Sequence, residues 1–181
     1  GEYNDDVKHR IGLLDRKLRI VSENAKDSKE WILWAKIALR STYGFEWQGD
    51  NLLLAREALF FTFEEHYIAQ FGEKKFNQNK MRMMPGVAYI ISWNIWQMDG
   101  LKFGLPGYDP YIEKEPSTGK QLSLFDDVQE EKHEPAPHER LCLVKDFLEG
   151  INLQKATLNS KDFHDLKAPK CTFESLVNKN N

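Results

Sequence analysis

Apolar residues recur at helical spacing from the start of the chain. Ile11, Leu14, Leu18 and Val21, with Arg16, Lys17 and Arg19 on the other side, predict an amphipathic helix from about Val7 to Ser22. Asp27 and Glu30 have the spacing of a capping box, so a second helix starts at Asp27-Ser28 and carries Trp31, Trp34, Ala35 and Ala38 on one face. The texture then changes. Ser41-Thr42-Tyr43-Gly44-Phe45-Glu46 is short, aromatic and β-branched, and it ends on an acid before Gly49-Asp50. That pattern predicts a brief buried strand running into a turn, although Gly44 also fits a helix C-cap.

Asp50 or Asn51 can cap a long helix, Leu52 to Phe71, with Leu52, Ala55, Leu59, Phe63 and Tyr67 as its stripe and Gly72 as its stop. Pro85-Gly86 is read as opening a further element, Val87 to Trp93. Asn94-Ile95-Trp96-Gln97-Met98-Asp99-Gly100 then reads as a second short strand ending on an acid. From Leu105 to His138 the chain carries Pro106, Pro110, Pro116, Pro135 and Pro137 among many Glu and Lys, the texture of an exposed insertion. Leu141 to Phe147 alternates like a strand, and Thr172 to Val177 is its expected partner. No internal repeat is present. The expected organisation is therefore a largely helical α/β segment over 1–104, an acidic, Pro-rich insertion over 105–139, and a C-terminal strand segment over 140–181.

Composition narrows the function classes. With 41% hydrophobic and 29% charged residues, the chain has enough apolar material for a real core. A net charge of −3 argues against a small autonomous nucleic-acid binder, yet leaves room for a DNA enzyme whose basic surface lies elsewhere. Cys142 and Cys171 form no CxxC pair, and a core of this size needs no disulfide. No apolar run reaches the ~18 residues of a membrane span, and the N-terminus has no signal-peptide core. The expectation is a cytoplasmic chain without membrane contact. It begins abruptly at Gly1, as an excised fragment would.

The chemistry rests on two strand ends. In doubly wound α/β folds, ligands sit at the carboxyl ends of the strands. A carboxylate after one strand is placed to accept both ribose hydroxyls of an adenosine. A carboxylate after the next can accept the exocyclic amine of the adenine. Glu46 and Asp99 have the order and spacing for those jobs, across a long crossover expected to contain two helices. The competing reading is that each acid caps its own turn.

Tyr43-Gly44-Phe45-Glu46, followed by Asn51-Leu52-Leu53-Leu54-Ala55-Arg56-Glu57-Ala58-Leu59, resembles the second motif of S-adenosylmethionine-dependent DNA methyltransferases. Asn94 to Leu101 resembles their third motif, with Met98 where the family usually has Gly. Arg10 to Arg19, Gln48 to Arg56 and Ile90 to Lys102 are similar to a subgroup of restriction-modification methylase subunits, and so is Phe173-Glu174-Ser175-Leu176-Val177. The resemblance implies a partial Rossmann-like methyltransferase domain acting on adenine N6 in DNA. S-adenosylmethionine would be bound by Glu46 at the ribose and Asp99 at the adenine ring. It also implies DNA and a restriction subunit, or the remainder of the methylase chain, as partners.

The glycine-containing first motif is expected just upstream of Gly1. The base-holding "[ND]PP[YF]" is missing, and Asp109-Pro110-Tyr111 is the nearest run. An enzyme acting on an extruded base needs such a group. No catalytic residue is assigned, and the segment is expected to be inactive alone.

Other signals compete with blander readings. Gln121-Leu122-Ser123-Leu124-Phe125 matches the pentapeptide by which bacterial proteins dock on the polymerase sliding clamp. Gln121, Leu122, Leu124 and Phe125 would make the contact, or simply pin the insertion to its own domain. This gives an alternative function, a non-catalytic DNA- or clamp-associated module of a restriction complex. His133, His138, Cys142, His164 and Cys171 lack the spacing of a zinc site apart from His133 and His138, and no metal is expected. Glu64-Glu65-His66 is read as a solvated helical face. Cys142 reads as a small buried hydrophobe. Trp93 and Trp96 are read as core or as a stacking surface. Arg16, Lys17 and Arg19 are read as a solvated face or a modest phosphate patch.

Overall fold

A computed structural model describes residues 6–107, 141–147 and 169–179. Within them the protein is mostly helical, with two small sheets. Helices α1 (Leu13–Asn24) and α2 (Ser28–Arg40) lead to strand β1 (Gly44–Glu46). Helices α3 (Gly49–Phe71) and α4 (Glu73–Asn94) follow, and then β2 (Ile95–Gln97). The C-terminal part adds β3 (Leu143–Lys145), β4 (Lys170–Thr172) and the short α5 (Phe173–Asn178). Among the described residues no helix is long and apolar enough to cross a membrane.

The core is built on aromatic side chains from α2, α3 and α4. Trp31 is fully buried, and its ring meets Phe63, Tyr67 and Phe71 edge-on at centroid distances of 5.2, 5.3 and 6.1 Å. Such pairs contribute about 0.5–1.5 kcal/mol each beyond the area they bury. The indole N–H is not stranded, because it donates to Ser22 Oγ at 2.9 Å. Leu14 and Leu18 bring α1 onto this centre, and Phe147 seals it from the C-terminal segment.

Several ends differ from the sequence reading, each for an identifiable reason. Helix α1 starts at Leu13 rather than Val7, and the chain before it turns at His9, whose amide donates to the Asp6 carbonyl. Ile11 therefore lies outside the stripe and is exposed. Asp27 caps α2 as expected, accepting from the Lys29 and Glu30 amides at 2.8 and 2.9 Å. The Glu30 carboxylate reaches back to the Lys26 amide instead of Asp27. Helix α3 begins at Gly49, with neither Asp50 nor Asn51 as its cap.

Pro85-Gly86 does not open an element. Helix α4 runs through Pro85, although an interior proline forfeits a hydrogen bond and costs about 3 kcal/mol. Met83, Met84, Val87, Ile90, Ile91 and Asn94 are buried along one helical face on both sides of it. Packing on the common core thus overrides the local break.

The expected strand pairing at the C-terminus is also shifted. β3 pairs antiparallel with β4 in the register Val144↔Cys171. From Phe173 the chain is helical, with Thr172 Oγ1 accepting from the Ser175 amide. Thr172 to Val177 is therefore a strand end followed by a capped helix. Most of the insertion over 105–139 lies outside the described residues.

Two polar side chains fix how the first sheet meets the helices. Asn94, 1% exposed at the end of α4, has its Nδ2 within 2.9–3.1 Å of the carbonyls of Leu39, Arg40 and Thr42. Arg56 on α3 donates to the carbonyls of Ser92 and Ile95. Helix ends leave carbonyls without intrahelical donors. These two side chains supply donors where α2 enters β1 and where α4 enters β2.

Candidate functional site

β1 and β2 pair in parallel, with the register Gly44↔Ile95, Phe45↔Trp96 and Glu46↔Gln97. Their connection consists of α3 and α4, joined at Gly72. A Cβ on Gly44 would lie 3.2 Å from Ile95 Cδ1, so a side chain there would crowd the neighbouring strand. The Met98 amide donates to the Glu46 carbonyl at 3.1 Å and carries the pairing one step past the strands. Glu46 and Asp99 are thereby brought to the same, carboxyl, end of two adjacent strands.

Each acid also has a local job. Glu46 Oε1 accepts from the Gln48 amide at 3.0 Å. Asp99 Oδ1 accepts from the amides of Leu101 and Lys102 at 2.9 and 3.2 Å. The turn after β2 closes with the Asp99 amide on the Gly104 carbonyl and the Phe103 amide on the Asp99 carbonyl. Phe103 sits at φ +56, an uncommon conformation for a bulky residue. Its carbonyl accepts from Cys142, and its ring meets Phe173 at 5.7 Å. Among the described residues no hydrogen bond reaches Glu46 Oε2 or Asp99 Oδ2. Both side chains are half-buried.

Phe173 covers one face of this sheet, with its ring centroid 4.5 Å from Phe45 and 6.1 Å from Tyr43. The Tyr43 hydroxyl donates to the Lys145 carbonyl at 3.0 Å. Burial, with Asp146 nearby, pushes its ionisation far above the ordinary tyrosine range. Tyr43 is thus a neutral strut, unsuited to act as a base. A cleft of about 380 Å³ runs beside β1, lined by Glu46, Gly44, Leu13, Asp15, Ala55 and Leu59 among others. Glu46 lines it; Asp99 does not.

Trp93 and Trp96 are half-buried and meet edge-on at 5.7 Å, with the Trp96 N–H donating to the Trp93 carbonyl. Lys145, buried, and Lys170 both approach the Trp93 ring, at 5.1 and 5.2 Å. Arg16, Lys17 and Arg19 spend donors on the fold itself. Arg16 meets the Ile11 carbonyl, Lys17 meets Ser41 and Thr42 at the end of α2, and Arg19 meets the Lys8 and Arg10 carbonyls. Cys142 is half-buried, and burial raises its thiol pKa; Cys142 and Cys171 form no disulfide. Gln121, Leu122, Leu124, Phe125, His133, His138 and His164 lie outside the described residues. Among the described residues no group of three or more His, Cys, Asp or Glu side chains could hold a metal ion.

One pair escaped the sequence reading. Glu64-Glu65-His66 is not a solvated face: His66 is 3% exposed, with Nε2 3.0 Å from Oδ1 of Asp15, itself 8% exposed. Glu65 is bonded to Arg10. The signal was present in the pattern, because His66 falls three residues after Phe63 and Asp15 three before Leu18, both on buried stripes.

Comparison with protein families, with curated proteins and with solved structures finds no match to this chain.

Proposed function

We propose that the chain forms the adenosine-binding side of an S-adenosylmethionine site in a DNA adenine-N6 methyltransferase of a restriction-modification system. The observation that supports this reading is the parallel pairing of β1 with β2, with Glu46 ending the first and Asp99 just beyond the second at the same end. Ligands of doubly wound sheets bind at the carboxyl ends of the strands. On this reading β1 and β2 are part of a Rossmann-like sheet, and α3 with α4 is the crossover between them.

Glu46 accepts the two ribose hydroxyls, and its Oε2 is the oxygen not committed to the turn. Asp99 accepts the exocyclic amine of the cofactor's adenine through Oδ2, while Oδ1 holds the turn after β2. A hydrogen bond between an ionised acceptor and a neutral donor contributes about 1.5–3 kcal/mol. The cofactor supplies an activated methyl group on sulfur. This chain's acids bind and orient the adenosine half and take no part in the transfer. The 181 residues contain no Asn-Pro-Pro or Asp-Pro-Pro, so the group that holds the target adenine comes from elsewhere in the methylase. DNA and the restriction subunit are the partners that follow.

Calorimetric titration of S-adenosylmethionine into the intact methylase carrying this segment tests the reading. Glu46→Ala and Asp99→Ala are expected to weaken binding by about tenfold or more each, as the loss of 1.4 kcal/mol requires. Unchanged affinity in both variants would remove the assigned roles.

A further inference from the structure

A second cavity, of about 360 Å³, lies between α1, α3 and the turn that precedes α1, and it shares no lining residue with the cleft beside β1. Its wall includes Lys8, His9, Arg19, Glu23 and His66. His66 is almost fully buried yet reaches this wall. Its Nε2 faces the Asp15 carboxylate, which can only accept, so in the neutral ring Nε2 carries the proton and Nδ1 is left with a lone pair. Among the described residues no hydrogen bond reaches Nδ1. A buried, carboxylate-oriented imidazole at a cavity wall is a prepared hydrogen-bonding group, fixed in tautomer by its partner.

The charges around it favour an anion. Lys8 and Arg19 line the cavity against the single carboxylate of Glu23. Glu65, next to His66, is engaged by Arg10, and Asp6 is turned to the Lys8 amide. Arg19 uses Nη1 for the carbonyls of Lys8 and Arg10, which holds the guanidinium in place while its other N–H groups bond to nothing among the described residues. The cavity lining itself thus carries two cations against one carboxylate, with Asp15 and Asp6 bonded to His66 and to the Lys8 amide.

We propose that this cavity binds a phosphate group, free or as a phosphomonoester, with Lys8 and Arg19 meeting its charge and His66 Nδ1 accepting from its P–O–H. The chemistry selects among oxyanions. Hydrogen phosphate and monoesters offer both negative oxygens and an O–H, whereas sulfate and phosphodiesters near neutral pH offer only acceptors. The acceptor role requires the neutral ring, and the charged groups facing His66 are Asp15 on α1, Arg10 before it and Glu65 on its own helix.

The test is an NMR titration of the His66 ring nitrogens with inorganic phosphate, methyl phosphate, dimethyl phosphate and sulfate at constant ionic strength. Saturable shifts are expected with the first two and not with the last two; the stronger of the first pair tells free phosphate from a monoester. Lys8→Ala, at an exposed site that spares the core, is expected to weaken phosphate binding about tenfold, the loss of one charge-assisted contact. Read by calorimetry, His66→Phe, which offers no acceptor, is expected to abolish the preference over sulfate. Shifts of equal size with all four anions, or His66 signals unmoved by tens of millimolar phosphate, would overturn the proposal.

Discussion

Glu46 stands opposite Gln97 in the parallel ladder, and the next amide along, that of Met98, donates to the Glu46 carbonyl at 3.1 Å. The bond places the Asp99 turn directly alongside the end of β1. Two carboxylates 53 positions apart in sequence thereby share one edge, because α3 and α4 return the chain to the start of β2. That return depends on a few polar contacts, those of Asn94 and Arg56 among them.

Asn94→Ala removes the amide that serves three backbone carbonyls at the end of α2 and leaves buried acceptors unsatisfied. It is expected to cost about 2–4 kcal/mol in urea unfolding. Asn94→Asp is expected to cost more, because it sets a carboxylate against the carbonyls of Leu39, Arg40 and Thr42. Equal stability of the asparagine and alanine forms would show that the contacts are idle.

Gly72 joins α3 to α4 at φ +83 and ψ 155, a region essentially reserved for glycine. A Cβ there would meet nothing within 4 Å, so the penalty is purely conformational. Gly72→Ala is expected to lower stability by about 1–3 kcal/mol without changing the near-ultraviolet spectrum of the native state.

Pro85→Ala is expected to act in the opposite direction. Pro85 is exposed and interior to α4, so alanine restores a donor and removes a ring clash without touching the core. The expected gain is about 1–3 kcal/mol. A loss of stability would mean that the proline sets a bend the core requires.

These positions also show what the sequence carried. The α3 stripe, Trp31, Ala35 and Ala38 of α2, the Asp27 cap, the Gly72 stop and the strand–acid pattern at Glu46 and Asp99 are local signals, legible within a few residues, whereas Trp34, expected on the same face of α2, is exposed. Pro85 departs from its local rule because the packing that overrides it comes from other helices. His66 follows two acids and reads as solvated unless its partner, 51 positions away, is known. Thr172 serves as both strand end and helix cap, and periodicity alone cannot divide the two.

Burial lowers the His66 pKa below its ordinary value of 6.5, against the opposing pull of Asp15. The unfolded chain therefore binds a proton that the native state resists, so stability rises with pH through this range. The contribution is present above about pH 6.5 and declines as pH falls through the native value. Urea midpoints from pH 8 to pH 5 are expected to drop, and the drop is expected to shrink in His66→Gln. An identical pH profile in the two proteins would place the effect on other groups.

The central claim is that Glu46 holds the ribose of S-adenosylmethionine, and a double-mutant cycle tests it most directly. The proposed methyltransferase and its Glu46→Ala variant would each be titrated with S-adenosylmethionine and with its 2′-deoxy analogue. The account predicts that loss of the hydroxyl weakens the wild type about tenfold and the variant hardly at all, a coupling of about 1.4 kcal/mol. An equal loss in both proteins would contradict it.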